Sequence, residues 1–201
     1  MLKENDTDKI KIDSGAPNHF LTSLRFRQGL SSSVRLASND QNFSPLADSL
    51  RQTDRFAITA SVKQHPNNRE GTILSVTPHL SLLDAASTMS FALISDAPRN
   101  TVSLVYGETG RGVAPEHSVS FEETGMIGDD HKRAWHFLTL VFEGLNVKLY
   151  MDCKLVGAET LAFPFYQQLD GRSGELVVAN AFPTKQDFKV SSGKLVFLFR
   201  S

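Results

Sequence analysis

The chain has 201 residues, of which 40% are hydrophobic and 21% are charged, and its formal net charge is -1. This length suits one domain with a full core, and no apolar run approaches the roughly 18 residues that a membrane span needs. A net charge near zero excludes a globally basic nucleic-acid binder. The first residues also lack the apolar core of a secretory signal. We therefore expect a globular domain that neither enters a membrane nor binds nucleic acid.

The first elements are short. The polar residues 1–18 predict a flexible leader, and residues 19–201 predict one domain. Residues 24–38, "LRFRQGLSSSVRLAS", contain two short alternating runs on either side of a Gly/Ser turn, which predicts two strands. The segment that follows predicts one short helix over residues 45–53, because Ser44 can cap it and Pro45 suits its first turn.

Apolar, β-branched runs then continue to the end of the chain, separated by polar or glycine-bearing turns. This alternation of short apolar runs and turns predicts an all-β fold, a two-sheet antiparallel jelly-roll sandwich with one short helix. "WHFLTLVF", residues 135–142, has apolar residues on both faces, which predicts a central strand covered on two sides. In "NVKLYMDC", residues 146–153, every second residue is apolar, so Cys153 is expected to point inward or to end the strand. Trp135, Phe137, Leu149 and Met151 are predicted to be substantially buried.

No motif in the sequence predicts catalysis. The six histidines show no zinc-ligand spacing with Cys153, and no nucleophile elbow, dinucleotide fingerprint or phosphate loop occurs. Glu122-Glu123 and Asp129-Asp130 are neighbours in sequence, and neighbours on a strand point to opposite faces, which does not suit an acid/base pair. "YGETGRG", residues 106–112, lies between two predicted strands and favours a hairpin turn. We predict no catalytic residue, no cofactor and no metal ligand.

Two pieces of the sequence carry a family resemblance. "RAWHFLTLVFEGLNVKLYMDCKLVG", residues 133–157, has a Trp-His pair that opens one strand and an apolar-Tyr-apolar-Asp-Cys run that ends the next. This resembles the thrombospondin N-terminal-like domain, a branch of the laminin G family with a concanavalin-like jelly-roll fold. Phe56, Arg69 and Gly71 also match the family, although Glu70 separates the arginine from the glycine. The resemblance extends from about Leu24 to Arg200.

The resemblance implies a secreted, extracellular protein. In the family the Asp-Cys cysteine is usually bonded to a second cysteine beyond the last strand, so Cys153 is the disulfide candidate, with its partner outside this chain. A free thiol in a cytosolic protein is the alternative that the single cysteine by itself favours. Asn5 and Asn42 begin N-x-[ST] triplets and are glycosylation candidates, as secretion would allow.

The function that the resemblance implies is recognition without catalysis. Between Leu24 and Arg69 the sequence has seven basic residues and three acidic ones, and an arginine fork can hold a sulfate or carboxylate through two parallel hydrogen bonds. Arg27 and Arg69 match positions that bind heparin in related domains, whereas Asn67 and Asn68 stand where stronger binders have lysines. The candidate glycosaminoglycan-binding residues are Arg27, Arg69, Arg25, Arg35 and Lys63.

The expected partners are extracellular matrix or cell-surface proteins and heparan sulfate. Three other interpretations remain open at this stage: a solvated basic face, a structural or calcium-dependent protein-binding spacer, and a glycoside hydrolase of the concanavalin-like fold. Asp129 and Asp130 could give oxygens to calcium, although such a site needs six or more ligands. The hydrolase is disfavoured because no E-x-D-x-E run occurs.

Overall fold

The computed structural model describes thirteen strands, one α-helix and one 3₁₀ helix. The residues described are 10–13, 23–26, 34–36, 43–62, 70–78, 88–96, 98–109, 116–122, 124, 135–169, 174–178 and 193–198. The strands are β1 Ile10–Asp13, β2 Ser23–Phe26, β3 Val34–Leu36, β4 Arg55–Val62, β5 Glu70–Pro78, β6 Thr88–Asp96, β7 Thr101–Thr109, β8 His117–Phe121, β9 His136–Glu143, β10 Asn146–Met151, β11 Lys154–Thr160, β12 Gly174–Val178 and β13 Gly193–Leu198. The helices are α1 Phe43–Gln52 and the 3₁₀ helix Phe165–Gln168.

The strands form two packed antiparallel sheets, as predicted. The seven-stranded sheet has the order β1-β2-β13-β4-β9-β10-β11, and the six-stranded sheet has the order β3-β12-β5-β6-β7-β8. Apolar side chains of both sheets fill the space between them, including Ile58, Leu140 and Leu149 from one sheet and Leu93 and Leu104 from the other. The prediction of a two-sheet antiparallel jelly-roll sandwich with one short helix is confirmed.

The strand register shows which strand ends and turns lie together at each end of the sandwich. At one end, which we call the Asp152 end, β10 turns into β11 through Asp152 and Cys153, and β9 begins at His136. At the opposite end, the helix end, α1 contacts the 3₁₀ helix and β9 turns into β10 through Gly144 and Leu145. Strand β4 ends at the Asp152 end, because Val62 pairs with His136. The β6–β7 turn lies there as well, because its Asn100 accepts a hydrogen bond from Thr124, which lines one surface groove with Asp152.

Strand β9 is buried on one face only, which corrects the prediction of coverage on both. Leu138, Leu140 and Phe142 are fully buried, whereas Phe137, on the other face, is 43% exposed. Apolar residues on both faces of β9 therefore do not mean that both faces are covered. Trp135, just before β9, is half-buried.

The alternation in β10 holds up to the turn and then stops. Leu149 and Met151 are buried as predicted. Cys153 is exposed, because Asp152 and Cys153 have positive φ angles of 49° and 67° and form a two-residue hairpin turn. The prediction that Cys153 ends the strand is confirmed, and the inward orientation is wrong.

Two boundaries differ from the sequence prediction. Ile10–Asp13 pairs with β2 at the edge of the seven-stranded sheet, so part of the segment assigned to a flexible leader is a strand. Helix α1 begins at Phe43, two residues before the predicted start. The strands β2 and β3, close in sequence, lie in different sheets. The division into a leader and a domain over residues 19–201 otherwise stays a prediction.

Aromatic side chains fill the core toward the helix end. Phe56 and Phe142 stack with ring centroids 4.3 Å apart, and the Tyr166 ring packs edge-on against Phe56 at 4.9 Å. The Tyr166 hydroxyl donates a hydrogen bond to the Gly144 carbonyl oxygen at 2.9 Å. Burial, and then the Asp54 carboxylate, raise the pKa of the Tyr166 phenol above its usual value. This end therefore combines apolar burial with satisfied polar groups.

Candidate functional site

The Asp152 carboxylate bridges the beginning of β9 and the end of β10. Its Oδ2 lies 2.9 Å from His136 Nδ1, and its Oδ1 accepts a hydrogen bond from the Phe137 backbone N–H at 2.8 Å. The Asp152 N–H in turn donates to the Phe137 carbonyl at 2.8 Å. An aspartate tolerates the left-handed conformation that the turn requires, so one residue both forms the turn and ties two strands together. The Trp-His and Asp-Cys pieces of the sequence thus meet in space.

The other nitrogen of the His136 ring, Nε2, is buried and has no hydrogen-bonding partner among the described residues. A carboxylate on one ring nitrogen orients an imidazole, as it does in many catalytic and metal sites. In the described part of the chain, however, no nucleophile lies within hydrogen-bonding distance of Nε2, and no group of three metal-binding side chains is found. The geometry is that of a structural link between strands.

The structure describes two of the five basic residues that the sequence analysis proposed as glycosaminoglycan-binding residues. Arg25 lies in β2 opposite Lys11, and Arg35 lies in β3 opposite Val177, so these two arginines are in different sheets. Arg27, Lys63 and Arg69 lie outside the described residues, as do Asn5, Asn42, Asp129 and Asp130.

The strand ends next to those three basic residues are described. Arg27 follows the last residue of β2, Lys63 follows the last residue of β4, and Arg69 precedes the first residue of β5. Leu24 of β2 and Val62 of β4 both pair with Gly193, and Val62 also pairs with His136. The strand ends that lead to Arg27 and Lys63 therefore lie at the Asp152 end.

The sequence reasoning did not single out Arg99, a cation at this end. Arg99 lies in the turn between β6 and β7, with a side chain 81% exposed and its guanidinium 3.4 Å from the Asp96 carboxylate. β6 ends beside Glu70, the first residue of β5. Arg99 is far in sequence from the basic segment, so only the register of β5 and β6 could have revealed this neighbourhood.

A groove runs along one side of the sandwich, between the edge strands β8 and β11. It encloses about 800 Å³. Its apolar lining includes Phe121, Met151 and Val156, and its charged lining consists of Glu122, Asp152, Lys154 and Glu159. Sequence reasoning considered Glu122 only as a partner of Glu123 and did not consider Glu159, since nothing in the sequence indicates that β8 and β11 are neighbours.

Comparisons with solved structures identify the class of fold, and comparisons of sequence identify relatives of the chain. No family model matches the chain. Among solved structures, the CBM40 domain of the Ruminococcus gnavus IT-sialidase, bound to alpha2,6 sialyllactose, superposes with a TM-score of 0.56 at 15% identity, covering 89% of this chain and 92% of that one. Domains LG4-5 of the mouse laminin alpha1 chain superpose with a TM-score of 0.54 at 12% identity, covering 92% of this chain and 43% of that one. The fold is that of the laminin G-like sandwiches.

The sequence relatives are thrombospondins. Human Thrombospondin-2 is 28% identical over 152 residues, which cover 75% of this chain and 12% of that protein. Bovine Thrombospondin-2 is 26% identical over 144 residues, covering 72% of this chain and 11% of that protein. The chain thus matches a small part of the length of these relatives. Sequence and fold together support the resemblance of this chain to thrombospondin N-terminal-like and laminin G-like domains. None of the helices in the described ranges is long and apolar enough to cross a membrane.

Proposed function

We propose that this domain is a non-catalytic extracellular recognition module of a larger secreted or matrix protein, and that it binds sulfated glycosaminoglycans or matrix proteins. The thrombospondin relatives and the laminin G-like fold support the recognition role. The observation that carries the proposal is the position of Phe26 and Val62. Both end strands at the Asp152 end, and each is followed directly by a basic residue.

The proposed contact residues are Arg27, Lys63 and Arg69. Arg25 and Arg35 are weaker candidates because they lie within strands, opposite Lys11 and Val177, and not beyond a strand end. Arg99 joins this group because the β6–β7 turn lies at the same end. A sulfated polysaccharide is long and flexible, so several separate cations at one end of the sandwich can each hold one sulfate. Each contact is weak by itself, and salt screens it within about 8 Å at physiological ionic strength.

The extracellular setting has further consequences. We propose that Cys153, exposed at the tip of the β10–β11 turn, forms a disulfide with a cysteine outside this chain, and that Asn5 and Asn42 are the sites for glycosylation. An exposed cysteine can be reached by a partner thiol without opening the core, which is consistent with this role. Non-reducing mass mapping of the secreted parent protein tests it, and a free Cys153 thiol there would contradict it.

The binding test is chromatography on immobilised heparin across a salt gradient. Replacing both Arg27 and Arg69 with glutamine should remove retention. The matched control replaces Arg51 and Arg55, which are exposed and belong to the helix end, and it should leave the elution salt unchanged.

Three results would count against the proposal. Equal losses from the two double variants would show that net charge, and not the Asp152 end, drives retention. Retention that resists high salt would exclude a site made of exposed cations. Retention that disappears with EDTA would favour the calcium-dependent spacer.

A further inference from the structure

The side of the sandwich opposite β1 and β3 has two strand edges, and they differ. β8 is the last strand of the six-stranded sheet and β11 is the last strand of the seven-stranded sheet, in the part of the chain that the structure describes. An edge strand exposes unpaired backbone N–H and C=O groups that can pair with another chain. Natural proteins block such pairing with bulges, with prolines or with charges that point inward.

Strand β11 has two of these protective features. Its register with β10 passes from Leu149 opposite Gly157 to Tyr150 opposite Leu155, so Val156 forms a β-bulge. Lys154 and Glu159 pair with Met151 and Val147, which are buried, so both charges lie on the inward face. Pairing of another strand with β11 is therefore disfavoured.

Strand β8 has neither feature. Its five residues pair with β7 in an unbroken register, from Val102 opposite Phe121 to Tyr106 opposite His117. Its sequence, "HSVSF", contains no proline and no acidic or lysine side chain, and Ser118 and Ser120 on its outer face are exposed. Among the described residues, no strand pairs with this edge, and its register is regular.

The charges around β8 indicate which peptide would pair with it. Glu116 precedes the strand and Glu122 follows it, and both are exposed. Across the groove, Glu159 comes from β11. Neither Glu122 nor Glu159 forms an ion pair with a described residue, whereas the Asp152 carboxylate is already bonded to His136 and Phe137. Lys154 is the single cation among the described residues that line the groove.

We propose that β8 binds an extended basic peptide segment of a partner protein, which adds a strand to the six-stranded sheet. Alternate side chains of that strand enter the groove between β8 and β11. There the aliphatic stems of lysine or arginine lie against Phe121, Met151 and Val156, and their charged ends reach Glu122 and Glu159. The same carboxylates repel sulfated or sialylated saccharides. This site is therefore separate from the one proposed for glycosaminoglycans and takes a ligand of opposite charge.

The test uses synthetic heptapeptides that alternate threonine and lysine, titrated into the whole domain by calorimetry and by amide chemical-shift mapping. Binding should shift the amides of Ser118–Phe121 and of the groove. A peptide that alternates threonine and glutamate should not bind. A fully N-methylated threonine-lysine peptide keeps the side chains but cannot donate backbone hydrogen bonds, and it should not bind either.

Substitutions in the groove complete the test. The double variant Glu122→Gln with Glu159→Gln should bind the basic peptide about five- to tenfold more weakly, as expected for the loss of two exposed charge contacts. Lys154→Gln removes the opposing cation and should tighten binding. The control pair Asp48→Asn with Asp54→Asn removes the same charge near the helix end and should change nothing.

Several outcomes would overturn the proposal. They are no binding of the threonine-lysine peptide, equal binding of the glutamate peptide or of the N-methylated peptide, and shifts confined to β1–β3. Retention on heparin should not fall in the double glutamine variant, because that variant keeps every cation of the domain. Failure of this proposal therefore leaves the glycosaminoglycan proposal standing, and the reverse also holds.

Discussion

The two ends of the sandwich are stabilised in different ways. At the helix end, aromatic rings stack in the core, and the buried Tyr166 hydroxyl has a hydrogen-bond partner. At the Asp152 end, the half-exposed Asp152 carboxylate contacts one ring nitrogen of His136 and accepts a hydrogen bond from the Phe137 backbone N–H. The Arg99 side chain at this end is also exposed. Burial supplies most of the stability of a domain, whereas exposed polar contacts each supply little. The helix end can therefore stabilise the fold while the Asp152 end remains available for binding.

The largest contrast is expected between two phenylalanines of one strand. Phe142→Ala removes a fully buried ring that stacks on Phe56, and it should lower the free energy of unfolding by about 3–5 kcal/mol. Phe137→Ala removes a ring that is 43% exposed on the other face of β9, and it should cost less than about 1 kcal/mol. Urea denaturation of both variants measures the difference. Equal losses would mean that the outer face of β9 is covered in solution.

The second-largest loss of stability is expected at Asp152, whose carboxylate links β9 and β10. Asp152→Ala removes the contacts with His136 and the Phe137 N–H and puts alanine at a φ of 49°, so it should cost about 1–3 kcal/mol. Asp152→Asn retains an acceptor oxygen and tolerates that φ, so it should cost clearly less. If both variants lose the same stability, the charge of Asp152 matters and the turn geometry does not.

Relief of backbone strain gives a smaller effect with the opposite sign. Cys153 has a φ of 67°, a conformation that glycine adopts without steric cost and that favours glycine at the second position of such a turn. Cys153→Gly should raise the free energy of unfolding by about 0.5–1 kcal/mol, as measured by thermal or urea denaturation. The control Cys153→Ala removes the thiol and keeps the strain, so it should be nearly neutral. A destabilised glycine variant would show that the thiol side chain contributes contacts that outweigh the strain.

The smallest expected effect is electrostatic and lies on the outer face near the helix end. The Lys148 ammonium, 2.7 Å from a Glu143 carboxylate oxygen, lowers the pKa of Glu143 through a hydrogen bond and charge attraction, and the pKa of Lys148 is raised in return. Because the folded pKa of Glu143 is depressed, its contribution to stability is present above the unfolded pKa and is lost as the pH falls through the folded one. An NMR titration of the Glu143 carboxyl should show a pKa below its usual range, and Lys148→Gln should bring it back. An unchanged pKa in that variant would mean that the ion pair is not populated in solution.

The sequence by itself determined the elements and most of the inward faces. Alternation in β10 correctly predicted that Leu149 and Met151 are buried, because a strand places every second side chain on one face. A proline suited to a first turn placed α1 to within two residues. The Trp-His and Asp-Cys pieces indicated the laminin G-like class, which the fold supports.

Tertiary structure decided what lies next to what. The exposure of Phe137 depends on whether another layer covers the outer face of β9, and a run of apolar residues cannot report that. The positive φ of Cys153 comes from a two-residue turn, which interrupts the alternation that assigned the thiol to the core. Glu122 and Glu159 line one groove only because β8 and β11 are the last strands of two stacked sheets. Such long-range neighbours follow from strand order and register. Pairing between strands that are distant in sequence determines both, and a local sequence pattern does not encode them.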